Sequence, residues 1–168
     1  MLIAHPDDEI LFGYYDVYYS NCTIICFTNG KHKIRSIEFK NSMLSNKFIG
    51  HMYDLHDSMT DNWLQLTDEA IYQQYVIPVL LNHKYDMIVS HDVIGEYGHI
   101  QHKRVHQIAI YCSHIMNIPF MDFYQRYQLT DLSNMEYINQ RNAMLSIYAS
   151  QKISIDLFRS YYDKKLKD

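Results

Sequence analysis

Seven consecutive residues, Cys22-Thr23-Ile24-Ile25-Cys26-Phe27-Thr28, carry no charge and turn no polar face to water. A strand wet on one side alternates apolar with polar residues. A run that is apolar or β-branched throughout belongs inside a sheet covered on both faces, the pattern of parallel strands with helices above and below. Asn29-Gly30 ends the run with turn residues. Met1 to Ala4 reads as the end of a preceding strand, Met52 to His56 as a short third one, and Tyr85 to Ser90 and Ile118 to Tyr124 as two later ones. Helical spacing fills the intervals. It predicts helices over Asp7–Tyr19, Ile34 to about Gly50, a Pro78-kinked segment from Thr67, His99 to about Met116, and then 134–148 and 152–165. A polar loop runs from Asp57 to about Gln65, and a Gly-containing loop spans 91–98. Strand–helix alternation of this kind predicts an α/β fold, a mostly parallel, doubly wound sheet flanked by helices.

Such sheets hold ligands beyond the carboxyl ends of their strands. Two unusual segments fall at that edge. Ala4-His5-Pro6-Asp7-Asp8-Glu9 follows the first strand, and Gly95-Glu96-Tyr97-Gly98-His99-Ile100-Gln101-His102 follows the strand ending at Ser90. Pro6 biases His5 toward an extended conformation at the strand end. Asp7 and Asp8 then enter the helix with their side chains pointing in different directions, so one can ligate a cation while the other faces an open position. Capping and dipole chemistry alone would also explain acidic residues there, and Glu9 fits that reading. His99, His102 and His106 stand at i, i+3 and i+7, near one helical face. His106, like His32, His51, His56, His83 and His114, reads as an ordinary hydrogen-bonded histidine. His91, at the strand end, is placed to line a pocket without touching metal. A zinc helix built on His102 and His106 would need Glu after its first His, where Lys103 stands.

The chain has 168 residues, 48% hydrophobic and 20% charged, which suits one globular domain over residues 1–168 with the C-terminal helices as part of it. Net charge is −4, and apart from Lys164-Lys165-Leu166-Lys167 there is no basic stripe, so nucleic acid is not the expected partner. No apolar run approaches the roughly 20 residues of a membrane helix, and His5 to Glu9 interrupt any signal peptide. Cys22 and Cys26 lie four residues apart on a strand, roughly 13 Å, beyond disulfide reach. With Cys112 they read as reduced thiols, which fits a cytoplasmic setting. Nothing in the sequence fixes the oligomeric state.

His5-Pro6-Asp7-Asp8-Glu9 with Gly98-His99-Ile100-Gln101-His102 resembles the PIG-L (LmbE-like) family of zinc-dependent N-acetylsugar deacetylases. The resemblance continues through Phe27-Thr28-Asn29-Gly30, Arg35 with Glu38, Met87 to Asp92, and Ser150-Gln151, about residues 1–155. It implies a Rossmann-like domain that removes the N-acetyl group of an N-acetylglucosamine-like sugar in a glycan, glycolipid or sugar conjugate. It also implies that His5, Asp8 and His102 bind Zn2+, with Fe2+ a possible replacement under reducing conditions. Asp7 would be the general base and His99 the oxyanion donor, with Tyr97 and Arg35 near the substrate. Two positions depart from the pattern. An Asp, common at position 101, could support a cationic His99, and the neutral Gln101 would do so less; Tyr148 stands where His often precedes Ser-Gln. A zinc amidohydrolase acting on a non-sugar amide, and a catalytically idle sugar-binding module of the same fold, remain open alternatives at this point.

Overall fold

The computed structural model describes residues 1–60, 62–81, 83–129 and 133–165. Position 61 in the polar loop, positions 82 and 130–132, and the end of the basic tail (166–168) lie outside the described residues. The chain runs β1 (Leu2–Ile3), α1 (Asp8–Leu11), α2 (Tyr14–Tyr19), β2 (Thr23–Thr28), α3 (Arg35–Asn46) and β3 (Ile49–Leu55). A 3-10 turn, Asn62–Gln65, leads to α4 (Asp68–Ile71), a π turn (Tyr72–Val76) and α5 (Ile77–Leu80). Then come β4 (Ile88–Ser90), α6 (Gly95–Gly98), α7 (Ile100–Met116), β5 (Phe120–Asp122) and α8 (Phe123–Tyr127). The described chain closes with α9 (Met135–Leu145), a 3-10 turn at Ala149–Gln151 and α10 (Lys152–Lys165).

All strand pairings are parallel. β2 lies between β1 and β3, with Leu2 opposite Ile25 and Thr23 opposite Ile49, while β4 pairs with β5, Ile88 opposite Phe120. These form two sheet pieces where one was expected. β1 is two residues long and runs beside β4, and side chains bridge the seam. Ser90 Oγ donates to Leu2 O at 2.8 Å, and the Ala4 amide donates to His91 Nε2 at 3.1 Å. Read across the seam, the order is β3-β2-β1-β4-β5, a doubly wound arrangement with β1 and β4 adjacent at its centre.

Strand periodicity divides the core into two layers. Ile3, Ile24, Cys26 and Val89 face one side and pack with α1, α2, α3 and the C-terminal helices. Leu2, Ala4, Ile25, Phe27 and Ile88 face the other and pack with Trp63, the α4–α5 segment and α7. Ile24, Ile25, Cys26 and Phe27 are fully buried, as the uninterrupted apolar run required. At about 1.5–3 kcal/mol for each large apolar side chain, this strand is a principal source of stability.

Several boundaries differ from expectation, each for a physical reason. The helix expected over Asp7–Tyr19 breaks at Phe12-Gly13, where a Cβ on Gly13 would come within 2.9 Å of the Phe123 ring. Pro78 lacks an N–H and crowds the carbonyl four residues back. The helix widens into the π turn just before it, and Pro78 falls in the first turn of α5. The strand expected over Ile118–Tyr124 stops at Asp122, which caps α8 in a reciprocal box with Gln125. Three thiols, Cys22, Cys26 and Cys112, are free. Among the described residues, no helix is long and apolar enough to cross a membrane.

Candidate metal centre

β1 delivers His5 to the carboxyl edge of the sheet, and the turn that follows is locked from several sides. The His5 amide donates to Asp8 Oδ2 at 2.7 Å. Asp7 has a backbone φ of 111°, a conformation costly for a non-glycine residue. Its amide donates to Glu9 Oε2 at 3.1 Å. Glu9 is fully buried, and its other oxygen accepts from Ser42 Oγ at 2.8 Å and from the Tyr148 hydroxyl. Arg35, at the start of α3, donates to Pro6 O at 2.9 Å and lies 3.5 Å from Asp7 Oδ1 and 3.2 Å from Asp57 Oδ2. One turn later, Glu38 accepts from the Ser150 amide and hydroxyl. The strained turn is therefore held by α3 and by the C-terminal segment together.

The second segment reaches the same place. His99 caps α7, its Nδ1 accepting the Gln101 amide at 3.3 Å. His102, one turn in, is fully buried, with Nδ1 2.6 Å from Glu96 Oε2. His106 shares that helical face but stands apart: four residues rise about 6 Å, and its Nδ1 pairs with His91 O at 2.8 Å. It is the ordinary hydrogen-bonded histidine the sequence suggested.

His5 and His102, 97 positions apart, meet at 3.1 Å between His5 Nδ1 and His102 Nε2. Asp8 completes the contact, Oδ2 3.4 Å from His5 Nδ1 and Oδ1 3.6 Å from His102 Nε2. Ligand atoms held tetrahedrally at about 2.0–2.2 Å from zinc stand about 3.3–3.6 Å from each other. Hydrogen-bond partners on the far side fix the tautomers. Gln101 Nε2 donates to the carbonyls of His56 and Ser58, so Gln101 Oε1 faces His5 Nε2 at 2.6 Å as an acceptor. That places the His5 proton on Nε2. Glu96 places the His102 proton on Nδ1. Two imidazole lone pairs and a carboxylate then converge with no hydrogen among them, an arrangement that requires a proton or a cation at its centre.

The electrostatics agree. Burial works against charge on His5, yet Asp57 and Asp8 outweigh it and hold its pKa up to about 10. Burial also opposes charge on Asp8, and His102 and His91 overcome it, holding the carboxyl well below its usual range. Without a metal, a proton takes the central place. Ligand deprotonation couples metal uptake to proton release. Asp7 behaves oppositely: burial and the Asp8 charge push it well up, against the pull of Arg35. His99 is depressed to about 4 by burial and then by the neighbouring imidazoles of His5 and His102. It is a neutral ring near pH 7, with its Nδ1 lone pair taken by the Gln101 amide and its proton on Nε2.

No protein-family model matches this chain. A search of curated proteins found similarity to "Uncharacterized protein L374" of Acanthamoeba polyphaga mimivirus, 31% identical over 122 residues, covering 64% of this chain and 54% of that protein. The chain thus matches about half the length of this relative, whose name assigns it no activity.

Beside the cluster lies a cavity of about 260 Å³, with His5, Asp7 and Asp8 at one side and Arg35, Tyr97, His99 and Phe158 around it. Tyr97 is stacked on Phe158 of α10, ring centroids 3.8 Å apart. A second opening of about 560 Å³ shares Arg35, Asp57 and Gln151 with it. Of the residues expected at the site, His5, Asp7, Asp8, Arg35, Tyr97 and His99 face the cavity, and His102 stands behind His5 and Asp8. His91 corrects the expectation of a pocket-lining residue. It is fully buried beneath the cluster, its Nε2 taken by the Ala4 amide and its Nδ1 3.0 Å from Glu96 Oε2. Gln101 takes a place the sequence did not announce: its Oε1 faces His5 Nε2 at 2.6 Å. Two participants carried no sequence signal of their own, Asp57 in a polar loop and Glu96 between glycines. The geometry as a whole is a buried His/Asp cluster able to chelate a divalent ion, the kind of centre a metal-dependent hydrolase uses.

Proposed function

We propose that the chain is a zinc-dependent hydrolase that removes the N-acetyl group from an N-acetylglucosamine-like sugar, in line with its resemblance to PIG-L (LmbE-like) deacetylases. The observation that carries this reading is the convergence of His5 Nδ1, Asp8 and His102 Nε2 within 3.1–3.6 Å, protons turned outward, at the wall of a cavity lined by Asp7 and His99. These three residues fit a catalytic zinc site: two neutral imidazoles and one carboxylate would hold the ion, the donor count of sites that keep a place for water. His91 is a poor ligand because both its nitrogens are engaged, and His99 because its proton points outward from the cap. When bound, the ion supplies Lewis acidity toward the amide carbonyl and lowers the pKa of a water. Fe2+ would suit the same donors in a reducing cytoplasm, where the free thiols also fit.

The protein's own groups divide the remaining work. Asp7, raised in pKa and facing the cavity, accepts the proton of the attacking water. His99 Nε2–H donates to the carbonyl oxygen as negative charge grows on it. Asp7 then returns the proton to the leaving nitrogen, releasing acetate and a free amine. Arg35 holds the Asp7 turn and borders the cavity, where it and Tyr97 frame the sugar. At about 260 Å³ the cavity falls below the roughly 300–1,000 Å³ of drug-sized ligand sites, so it suits one terminal group with the remainder outside. The C-terminal helices belong to the same domain in this reading, because Tyr148 and Ser150 hold Glu9 and Glu38 behind the site.

Metal analysis of purified protein, paired with acetate release from N-acetyl sugars and from simple amides, tests the reading. One zinc per chain and acetate only from the sugars is the expected result. Hydrolysis of simple amides alone would replace it with a non-sugar amidohydrolase, and bound sugar with no acetate would replace it with a binding module. His99→Ala should keep the metal and lower turnover by about 10²–10³, the usual effect of losing an oxyanion donor. Steady-state kinetics on the metal-loaded variant check this.

A further inference from the structure

Glu96 is a fully buried carboxylate that stands outside the cavity and outside the converging donors. Its Oε2 lies 2.6 Å from His102 Nδ1 and 3.0 Å from His91 Nδ1, so one oxygen receives two imidazole N–H groups. The two rings stack, with centroids 3.9 Å apart and planes 19° apart. Its Oε1 accepts the Asp92 amide at 3.0 Å, and its own amide donates to Asp92 Oδ1 at 2.9 Å, a reciprocal clasp. The backbone at Glu96 has φ 54°, between Gly95 and Gly98 at φ 69° and 97°. A strained turn, a clasp and two rings thus converge on one carboxylate. His91 completes the chain of contacts, since its Nε2 accepts the Ala4 amide, next to His5 on β1.

We propose that Glu96 is a positioning residue that fixes the Nδ1–H tautomer and ring angle of His102, with His91 as its anchor to β1, so that His102 Nε2 is presented as a lone pair to a divalent ion. The role rests on reading the cluster as a metal site. A partner oxygen on the far nitrogen both orients a ligating imidazole and increases its basicity, and loss of such a partner typically lowers metal affinity about 10–100-fold. Glu96→Gln cannot satisfy both sides. Its single oxygen serves either the Asp92 amide or the two imidazoles, and an amide nitrogen turned toward the rings would demand the opposite tautomer, with a His102 proton pointing into the cluster.

The test combines two readouts, neither of them activity. In metal-free wild-type protein, 15N-histidine NMR should show His102 protonated at Nδ1 with no covalent proton on Nε2. Competition with a chromophoric chelator should then show Glu96→Gln binding Zn2+ about 10–100-fold more weakly than wild type. Glu96→Asp, which keeps the charge and tolerates positive φ, should recover part of the loss. A wild-type His102 protonated at Nε2, or Glu96→Gln binding zinc within about threefold of wild type, overturns the role of Glu96 while the metal site stands. Wild-type protein that takes up no zinc at all overturns the metal reading, and the two failures are thereby told apart. The wild-type spectrum needs no variant, so the proposal stays open to refutation even if Glu96→Gln fails to fold.

Discussion

Asp8→Ala removes both the metal and the activity. Asp8 is the only carboxylate that approaches both ligand nitrogens, 3.4 Å from His5 Nδ1 and 3.6 Å from His102 Nε2 among the described residues. Without it two neutral imidazoles remain, and a divalent ion keeps no anionic donor in direct contact. The nearest other acids are committed elsewhere: Glu96 holds the far side of His102, and Asp57 lies on His5 Nε2, facing away from the cluster. Loss of zinc affinity should exceed the roughly 100-fold upper range for removing an outer partner of a ligand. The structural cost is small by comparison. The variant leaves the His5 amide without its 2.7 Å acceptor, worth about 1–3 kcal/mol for a buried donor. The two core layers lie outside the change, so the far-ultraviolet circular dichroism spectrum should match wild type. Zinc content after dialysis and acetate release from an N-acetyl sugar are measured on the same preparation. Turnover in metal-free Asp8→Ala would sink the mechanism.

Much of this site could be read from sequence because its chemistry sits in two short segments. Pro6 and the double aspartate mark the exit of β1, His99 and His102 mark the start of α7, and the buried run at β2 fixes the parallel sheet that brings those edges together. What could not be read is long-range or subtle in backbone form. Asp57 joins the site only because β3 delivers it beside His5, and no local pattern announces that. Glu96 depends on positive φ at three of four successive residues, which the two glycines hinted at without saying what the residue between them would do. Gln101 illustrates the converse: its identity was plain, but its partner depended on whether the side chain turned back to His99 or inward to His5. The break at Gly13 followed from the approach of Phe123, 110 positions later, and no window of sequence contains both. The Asp122–Gln125 capping box, by contrast, was present in the sequence as Asp-x-x-Gln, where β-branched and aromatic neighbours read as continuing strand.

Asp7→Asn should retain the metal and lose about 10²–10⁴ in kcat, the range expected when a positioned base is removed. The substitution is chosen for the backbone. Asn is among the few residues that tolerate positive φ, so the turn at φ 111° can persist, whereas alanine would add strain to the loss of the carboxylate. Asp7 stands apart from the converging donors. Its nearest cation is Arg35, 3.5 Å away, and its amide is held by Glu9, an interaction the variant keeps. Zinc stoichiometry should therefore stay at the wild-type value. Burial and the Asp8 charge raise the Asp7 pKa, which makes it a stronger base than an exposed aspartate while Arg35 limits the rise. The acid limb of the wild-type kcat/KM profile should report this group and disappear in the variant. Asp8→Ala and Asp7→Asn thus divide two adjacent carboxylates by function: the first loses metal and turnover together, the second turnover alone. Asp7→Asn protein that is fully loaded with zinc and still turns over within about tenfold of wild type would mean that the proton goes elsewhere, and His99, neutral with Nε2 already protonated, has no lone pair free on the cavity side to take it.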